Sequence, residues 1–322
     1  MAFLSMRGVH VVVDTAEGPR TLVRLSQLDL AEGEMLGLVG ETGSGKTLTG
    51  LSVTRIFPTP SIRLAEGGIE LGGRDLARLP EREIRKVRGR EVGVVFQDPN
   101  ASLNPVFPVG RPLMDLLRLH RGLKGQAARA EALRLFARVE LPNPEAILSR
   151  YPHELSGGLR QRVMIALAIA AGPRLLVADE PTTALDVTVQ AEILRLFDDL
   201  RRKEGMSILF ITHNLGVVAH MVDRVAIMYA GDIVETGPTR DVLKRPEHPY
   251  TRLLLAAVPH RGPGRLTAIA GTAVPRAEIA GGCAFASRCP FVQERCRSVE
   301  PALAGEGGRL TACLRREEVL HV

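Results

Sequence analysis

The octapeptide GETGSGKT at residues 40–47 limits the folds open to this chain more than any other stretch. Gly40, Gly43 and Gly45 recur because backbone N–H groups converge on an anion only where no side chain intervenes. The pattern G-x-x-x-x-G-K-[ST] must follow a strand and open a helix. Here LGLV at 36–39 reads as a buried strand, and residues 47–56 read as a helix stopped before Pro58. Glu41, Thr42 and Ser44 complete a loop whose backbone cradles phosphates. Lys46 reaches the β- and γ-phosphates as a point charge, and the Thr47 hydroxyl is suited to Mg2+. An α/β fold follows, with ligands at the carboxyl ends of parallel strands.

The rest of the chain agrees with that architecture. Buried strands are expected at 92–96, 175–178 and 207–211, and two more at 224–229 and 232–236 turn at Ala230 and Gly231. Residues 187–204 form a helix whose apolar stripe is Ile193, Leu196, Phe197 and Leu200, at i, i+3, i+4 and i+7. Asn214 can cap the helix after the 207–211 strand. Between 101 and 171, helical segments broken by prolines and glycines read as a mostly helical insertion. One domain spans 1–247. After it, HPYTRLLLAAV forms a helix, and 259–322 holds every cysteine in a separate C-terminal module.

Composition narrows the function classes. A chain of 322 residues with 45% apolar and 24% charged residues has material for a real core. The longest apolar run, Val163 to Ala171, falls short of the roughly 20 residues a spanning helix needs. The N-terminus lacks the basic start and cleavage site of a signal peptide, so the chain is expected in the cytosol. The net charge is +6, but the arginines are dispersed, with no basic run carrying interleaved aromatics. That speaks against nucleic acid.

Several further positions carry chemistry in the presence of a phosphate loop. LLVADEP at 175–181 ends in Asp179, suited to hold Mg2+ through water, and Glu180, suited to polarise an attacking water. Gln97 can bring a neutral amide oxygen to the metal, and His213 can donate to the γ-phosphate. LSGGLRQR at 155–162 offers Ser156, Gly157 and Gly158 as a hydroxyl and two bare N–H groups at a helix start, an anion site lacking its anion.

In that order, GETGSGKT, Gln97, LSGGLRQR, LLVADEP, the ALD of Ala184 to Asp186, and His213 resemble the ATP-binding cassette family of transporter ATPases over nearly the whole chain. The resemblance implies an ABC-type nucleotide-binding domain with bound ATP and Mg2+. It adds Gln161 and Asp186 to the nucleotide site. It also implies a head-to-tail dimer, in which the signature of one subunit meets the γ-phosphate held by the other. FQDPNASLNPV at 96–106, YPHELSGGLRQRVMIALA at 151–168, HPYT at 248–251 and GCAFASRCP at 282–290 are similar to the ATPases of dipeptide and oligopeptide importers. Ser44 and the LSGGL wording look like the D-type subunit rather than its F-type partner. That branch works at the cytoplasmic face of the bacterial membrane with two permeases and an extracytoplasmic solute-binding protein, and a groove near Gln97 receives a permease helix. A transporter of nickel or another small solute shares the same motor. A soluble cassette ATPase is disfavoured, because only 110 positions separate Lys46 from Ser156, too few for a long coiled coil.

The chain departs from its relatives in places. Val13 stands where many of them carry an aromatic residue that stacks on adenine, and Thr42, Leu159 and Asn214 replace commoner residues. Cys283, Cys289, Cys296 and Cys313 lack the spacing of a zinc knuckle or of the common ferredoxins, which leaves a cluster, zinc or free thiols open. The resemblance associates such a set with a [4Fe–4S] cluster, whose role would be structural in so small a module.

Overall fold

The computed structural model describes residues 2–258, 269–279 and 281–320. Its strands are β1 (Leu4–Thr15), β2 (Gly18–Leu30), β3 (Met35–Val39), β4 (Ile62–Leu71), β5 (Arg74–Asp75) and β6 (Val92–Val95). They continue as β7 (Leu175–Asp179), β8 (Ser207–Thr212), β9 (Arg224–Tyr229), β10 (Asp232–Pro238) and β11 (Leu310–Thr311). The chain forms two compact units, Met1–Arg78 with Phe210–Val322, and Leu79–Leu209.

In the first unit, an antiparallel sheet of order β2-β1-β4-β5 lies in the N-terminal third. Sequence reading gave no account of it, because its strands alternate only in part and β1 changes register between Val11 and Val12. The second sheet of this unit runs β11-β10-β9-β3-β8. β3 is buried along its length and pairs in parallel with β9, as its unbroken apolar run implies. β9 and β10 form the expected hairpin: Ala230 and Gly231 have φ of 44° and 86°, the left-handed pair that suits a two-residue turn. β11 adds to β10 through Glu235–Thr311 and Thr236–Leu310, which brings the C-terminal segment onto the sheet edge.

The helix after the phosphate loop is shorter than the sequence implied. It spans Lys46–Ser52 and gives way to a turn in which Arg55 takes a φ of 52°.

In the second unit, β6 and β7 pair in parallel. The expected helical insertion is there as helices Gly110–Arg121, Gly125–Arg138 and Gly157–Ile169, with shorter ones at Pro99–Ser102 and Pro144–Leu148. The helix Val187–Glu204 has the expected limits. Its stripe of Ile193, Leu196, Phe197 and Leu200 is buried, and Gly205 ends it in the left-handed conformation. Among the described residues no helix is long and apolar enough to cross a membrane.

Candidate functional site

The phosphate loop joins the end of β3 to the helix Lys46–Ser52. Its glycines are obligatory for two different reasons. A Cβ on Gly40 would lie 2.2 Å from the Met228 carbonyl oxygen and 2.7 Å from Ser44 Oγ, so packing excludes any side chain. Gly43 and Gly45 have φ of 83° and 102°, which L-residues rarely adopt. Lys46 is 5% exposed, and its Nζ donates to the carbonyl oxygens of Gly40 (2.9 Å) and Glu41 (3.0 Å). The ammonium is thereby centred on the loop it closes. Thr47 follows Lys46 in the first turn of the same helix.

Sequence reasoning missed the residues that brace this loop from the C-terminal module. The Arg288 guanidinium forms a bidentate pair with Glu41, at 2.7 and 3.1 Å, from 247 residues away, and its side chain is 5% exposed. The Glu41 carboxylate, with the Tyr229 hydroxyl, raises the Arg288 pKa above its already high value. Tyr250 Oη accepts from the Glu41 backbone N–H at 2.9 Å. Burial first, and then the Glu41 charge, raise the Tyr250 pKa and keep the phenol neutral. Tyr229, Tyr250 and Phe285 pack ring against ring, with centroids 4.8 to 5.4 Å apart. The HPYT motif supplied a signal for Tyr250. Nothing local marks Arg288 as the partner of Glu41.

His213 belongs to the same unit. It is exposed just past β8, and Asn214 caps the next helix by accepting from the Gly216 and Val217 N–H groups at 2.9 and 3.4 Å.

The second unit holds the acidic strand end and the signature. Asp179 is 3% exposed at the end of β7. Glu180 follows with φ of 45°, a strained conformation for a non-glycine residue, and Ala184 shares it at 63°. The Glu180 carboxylate accepts from Gln97 Nε2 at 3.2 Å and Thr183 Oγ1 at 3.0 Å. The structure thus brings together Gln97 and Glu180, which are 83 residues apart.

Ser156 caps the helix Gly157–Ile169, its hydroxyl accepting from the Leu159 N–H at 3.4 Å. A Cβ on Gly158 would lie 2.5 Å from Val189 Cγ1, so this glycine serves helix packing, whereas one on Gly157 would make only ordinary contact with Leu185 at 3.6 Å. Asp186 caps the helix Val187–Glu204 by accepting from the Val189 N–H at 3.0 Å. Gln161 is 2% exposed, turned into the fold rather than presented at the surface.

The four cysteines line one small apolar cavity with His248, Phe285 and Phe291. None is in a disulfide. Burial, reinforced by the other thiols, pushes Cys283 up to about 11 and also raises Cys289 and Cys313. Among the described residues, no three His, Cys, Asp or Glu side chains are gathered as the ligands of a metal ion. The cysteines thus share one cavity, without a closed ligand cage.

Residues 23–183 match the family model described as ABC transporter, and residues 234–296 match that of the oligopeptide/dipeptide transporter C-terminal region. A probable peptide ABC transporter ATP-binding protein of Sinorhizobium fredii is 47% identical over 90% of this chain and 88% of its own length. A putative peptide import ATP-binding protein of Brucella melitensis is 43% identical over 98% of both. Among solved structures, a dimeric ATP-binding cassette bound to ADP and Pi superposes with a TM-score of 0.66 at 26% identity. That match covers 74% of this chain and 99% of the cassette.

Proposed function

This chain belongs to the ATP-binding cassette family of transporter ATPases, and from that membership we propose that it is the ATP-binding subunit of an importer of di- and oligopeptides. The observation that carries the reading is the union in one chain of a nucleotide cassette and an oligopeptide-transporter C-terminal region. Arg288 and Tyr250, both beyond the cassette match, hold Glu41 of the phosphate loop.

The chemistry divides among the motifs. Backbone N–H groups of Gly43 to Thr47 bind the phosphates, and Lys46 turns from the Gly40 and Glu41 carbonyls to phosphate oxygens, which are stronger acceptors because they are charged. The Thr47 hydroxyl, Gln97 and Asp179 are the residues that would hold Mg2+, which neutralises charge on the phosphates when bound. Glu180 takes the proton of the attacking water. Its bonds from Gln97 and Thr183 aim the carboxylate, and these partners must yield as water takes their place. His213 donates to the γ-phosphate. Ser156 and the Gly157 and Gly158 N–H groups have no phosphate of their own to bind, and they serve the nucleotide of a second cassette in a head-to-tail dimer. Asp186, at the start of the next helix, flanks that contact. The D-type wording of the signature favours an F-type partner over an identical one.

Coupling to two permeases and a solute-binding protein assigns the chain to the cytoplasmic face of the membrane. Support comes from a cavity in the second unit lined by Ser102, Leu103, Asn104, Phe107 and Arg111. It lies just after Gln97 in sequence, beside Val106, which is 70% exposed, so the face suits an apolar helix end.

For the cysteines the reading is a [4Fe–4S] cluster held by Cys283, Cys289, Cys296 and Cys313. The donor type and the shared apolar cavity fit it, and a cluster separates its thiolates more widely than a single ion does. When bound, it would act as a covalent clip for a small module. The thiols must give up the protons that burial now favours. An anaerobic absorption spectrum with an iron count tests this: a colourless, iron-free protein refutes it.

Reconstitution with the permeases and solute-binding protein in vesicles tests the whole reading. Peptide should stimulate ATP hydrolysis and accumulate inside; stimulation by nickel alone, or by no solute, would refute the peptide assignment.

A further inference from the structure

The chain that enters the helix Gly157–Ile169 is tied to the cavity assigned above to a permease helix. Val109, in the cavity wall, donates its N–H to the Arg150 carbonyl at 2.8 Å, and Pro152 lines the same cavity. Leu155, 3% exposed, ends this strap of residues 150–155, and Ser156 follows it as the helix cap. A second piece of the wall is the short helix Pro99–Ser102, which carries Ser102 at the cavity. Asp98 closes that helix: its carboxylate accepts from the Asn100 N–H at 2.8 Å and its carbonyl from the Ser102 hydroxyl at 2.8 Å.

Arg160 joins both pieces of wall to the helix start. Its backbone N–H donates to the Ser156 carbonyl at 2.9 Å and closes the first helical turn. Its Nε–H is shared between the Pro152 and Leu155 carbonyls, at 2.9 and 3.0 Å, and its Nη1 donates to the Asn100 side-chain oxygen. A cation so near a helix start is disfavoured, because that end carries partial positive charge. The three oxygens around the guanidinium offset this, so the side chain holds backbone and wall together.

We propose that Arg160 is a positioning residue that makes the strap 150–155 a rigid link, through which a permease helix seated in the cavity moves the anion site of Ser156, Gly157 and Gly158. The inference rests on the reading that the cavity receives that helix. A displacement of Pro152 or Ser102 reaches the Ser156 cap through the hydrogen bonds of one side chain rather than through a loose loop. A planar guanidinium can meet acceptors on two segments at once, whereas an ammonium keeps the charge without that fork.

The test follows hydrogen exchange by mass spectrometry in the full chain, alone and bound to both permeases, for the wild type and for Arg160→Met, Arg160→Lys and Asn100→Ala. Without permeases, residues 150–158 of Arg160→Met should exchange about tenfold to hundredfold faster than in the wild type, the range for one lost charged hydrogen bond. Permease binding should slow exchange in the wild type at 102–112 and at 156–160, but in Arg160→Met only at 102–112, with the other two variants between. Peptide imported per ATP hydrolysed should fall in the same order. Asn100 is exposed, so its truncation tests the link even if Arg160→Met does not fold. A merely structural role lowers transport and hydrolysis together and leaves that ratio unchanged. Such a result, or wild-type protection at 156–160 in the variants, overturns the proposal. A wild-type complex without protection at 102–112 overturns the permease reading of the cavity, and the link with it.

Discussion

Replacing Arg288 with alanine should loosen the phosphate loop, although the two lie 247 residues apart in sequence. The guanidinium makes two charge-assisted hydrogen bonds to Glu41, at 2.7 and 3.1 Å, and lies 5.8 and 5.9 Å from the Tyr229 and Phe285 ring centroids. Removing one partner of a fully buried pair costs about 3–5 kcal/mol. An exposed pair is worth about 0–1 kcal/mol. Arg288 is 5% and Glu41 27% exposed, so the stranded carboxylate can recover part of its hydration. A loss of about 1.5–3 kcal/mol follows, that of a charged hydrogen bond. If the loop must hold its shape to bind phosphates, that is roughly a tenfold to hundredfold loss of ATP affinity, at about 1.4 kcal/mol per factor of ten. Arg288→Lys should recover only part, because an ammonium keeps the charge without the planar fork. Calorimetric titration of ATP into the wild type, Arg288→Ala, Glu41→Ala and the double variant gives the coupling directly. Wild-type affinity in Arg288→Ala, or a coupling below about 0.5 kcal/mol, would refute the brace.

Glu180→Gln should keep ATP binding and lower turnover by about 10²–10⁴-fold; near-normal hydrolysis removes Glu180 from proton transfer. Gly158→Ala drives a Cβ to within 2.5 Å of Val189 Cγ1 and should destabilise the fold by about 1–3 kcal/mol, whereas Gly157→Ala should melt like the wild type. Equal melting temperatures for the two would contradict this. Arg309 holds the fully buried Glu235 at 2.8 Å and Glu247 at 3.3 Å. Burial raises the Glu235 pKa and Arg309 opposes that rise, so Arg309→Ala should raise it further. A raised carboxyl pKa contributes stability that is present below the unfolded value and lost as pH rises through the folded one. The variant should therefore be less impaired at pH 5 than at pH 8, and a pH-independent difference in thermal unfolding would exclude the mechanism.

What could be read without coordinates was whatever local backbone geometry dictates. The phosphate loop follows from its own glycines and the strand before it, because the angles at Gly43 and Gly45 depend on no distant neighbour. The helix Val187–Glu204 was legible to the residue, with Asp186 at one end, Gly205 at the other and one apolar stripe between them. The β9–β10 turn was legible for the same reason.

Tertiary structure decided the rest. The antiparallel sheet of β1, β2 and β4 depends on register across tens of residues and on a bulge at Val11–Val12, which alternation alone does not encode. The gathering of four unevenly spaced cysteines on one cavity, and the choice of Arg288 among 37 dispersed arginines as the partner of Glu41, are equally non-local. The fold sets a turn from residues 275–279 beside β2, because the C-terminal segment is fixed by ion pairs and a strand on the far edge of the sheet. Local pattern determines which elements form, whereas partners hundreds of residues apart are chosen only when packing fixes where those elements meet.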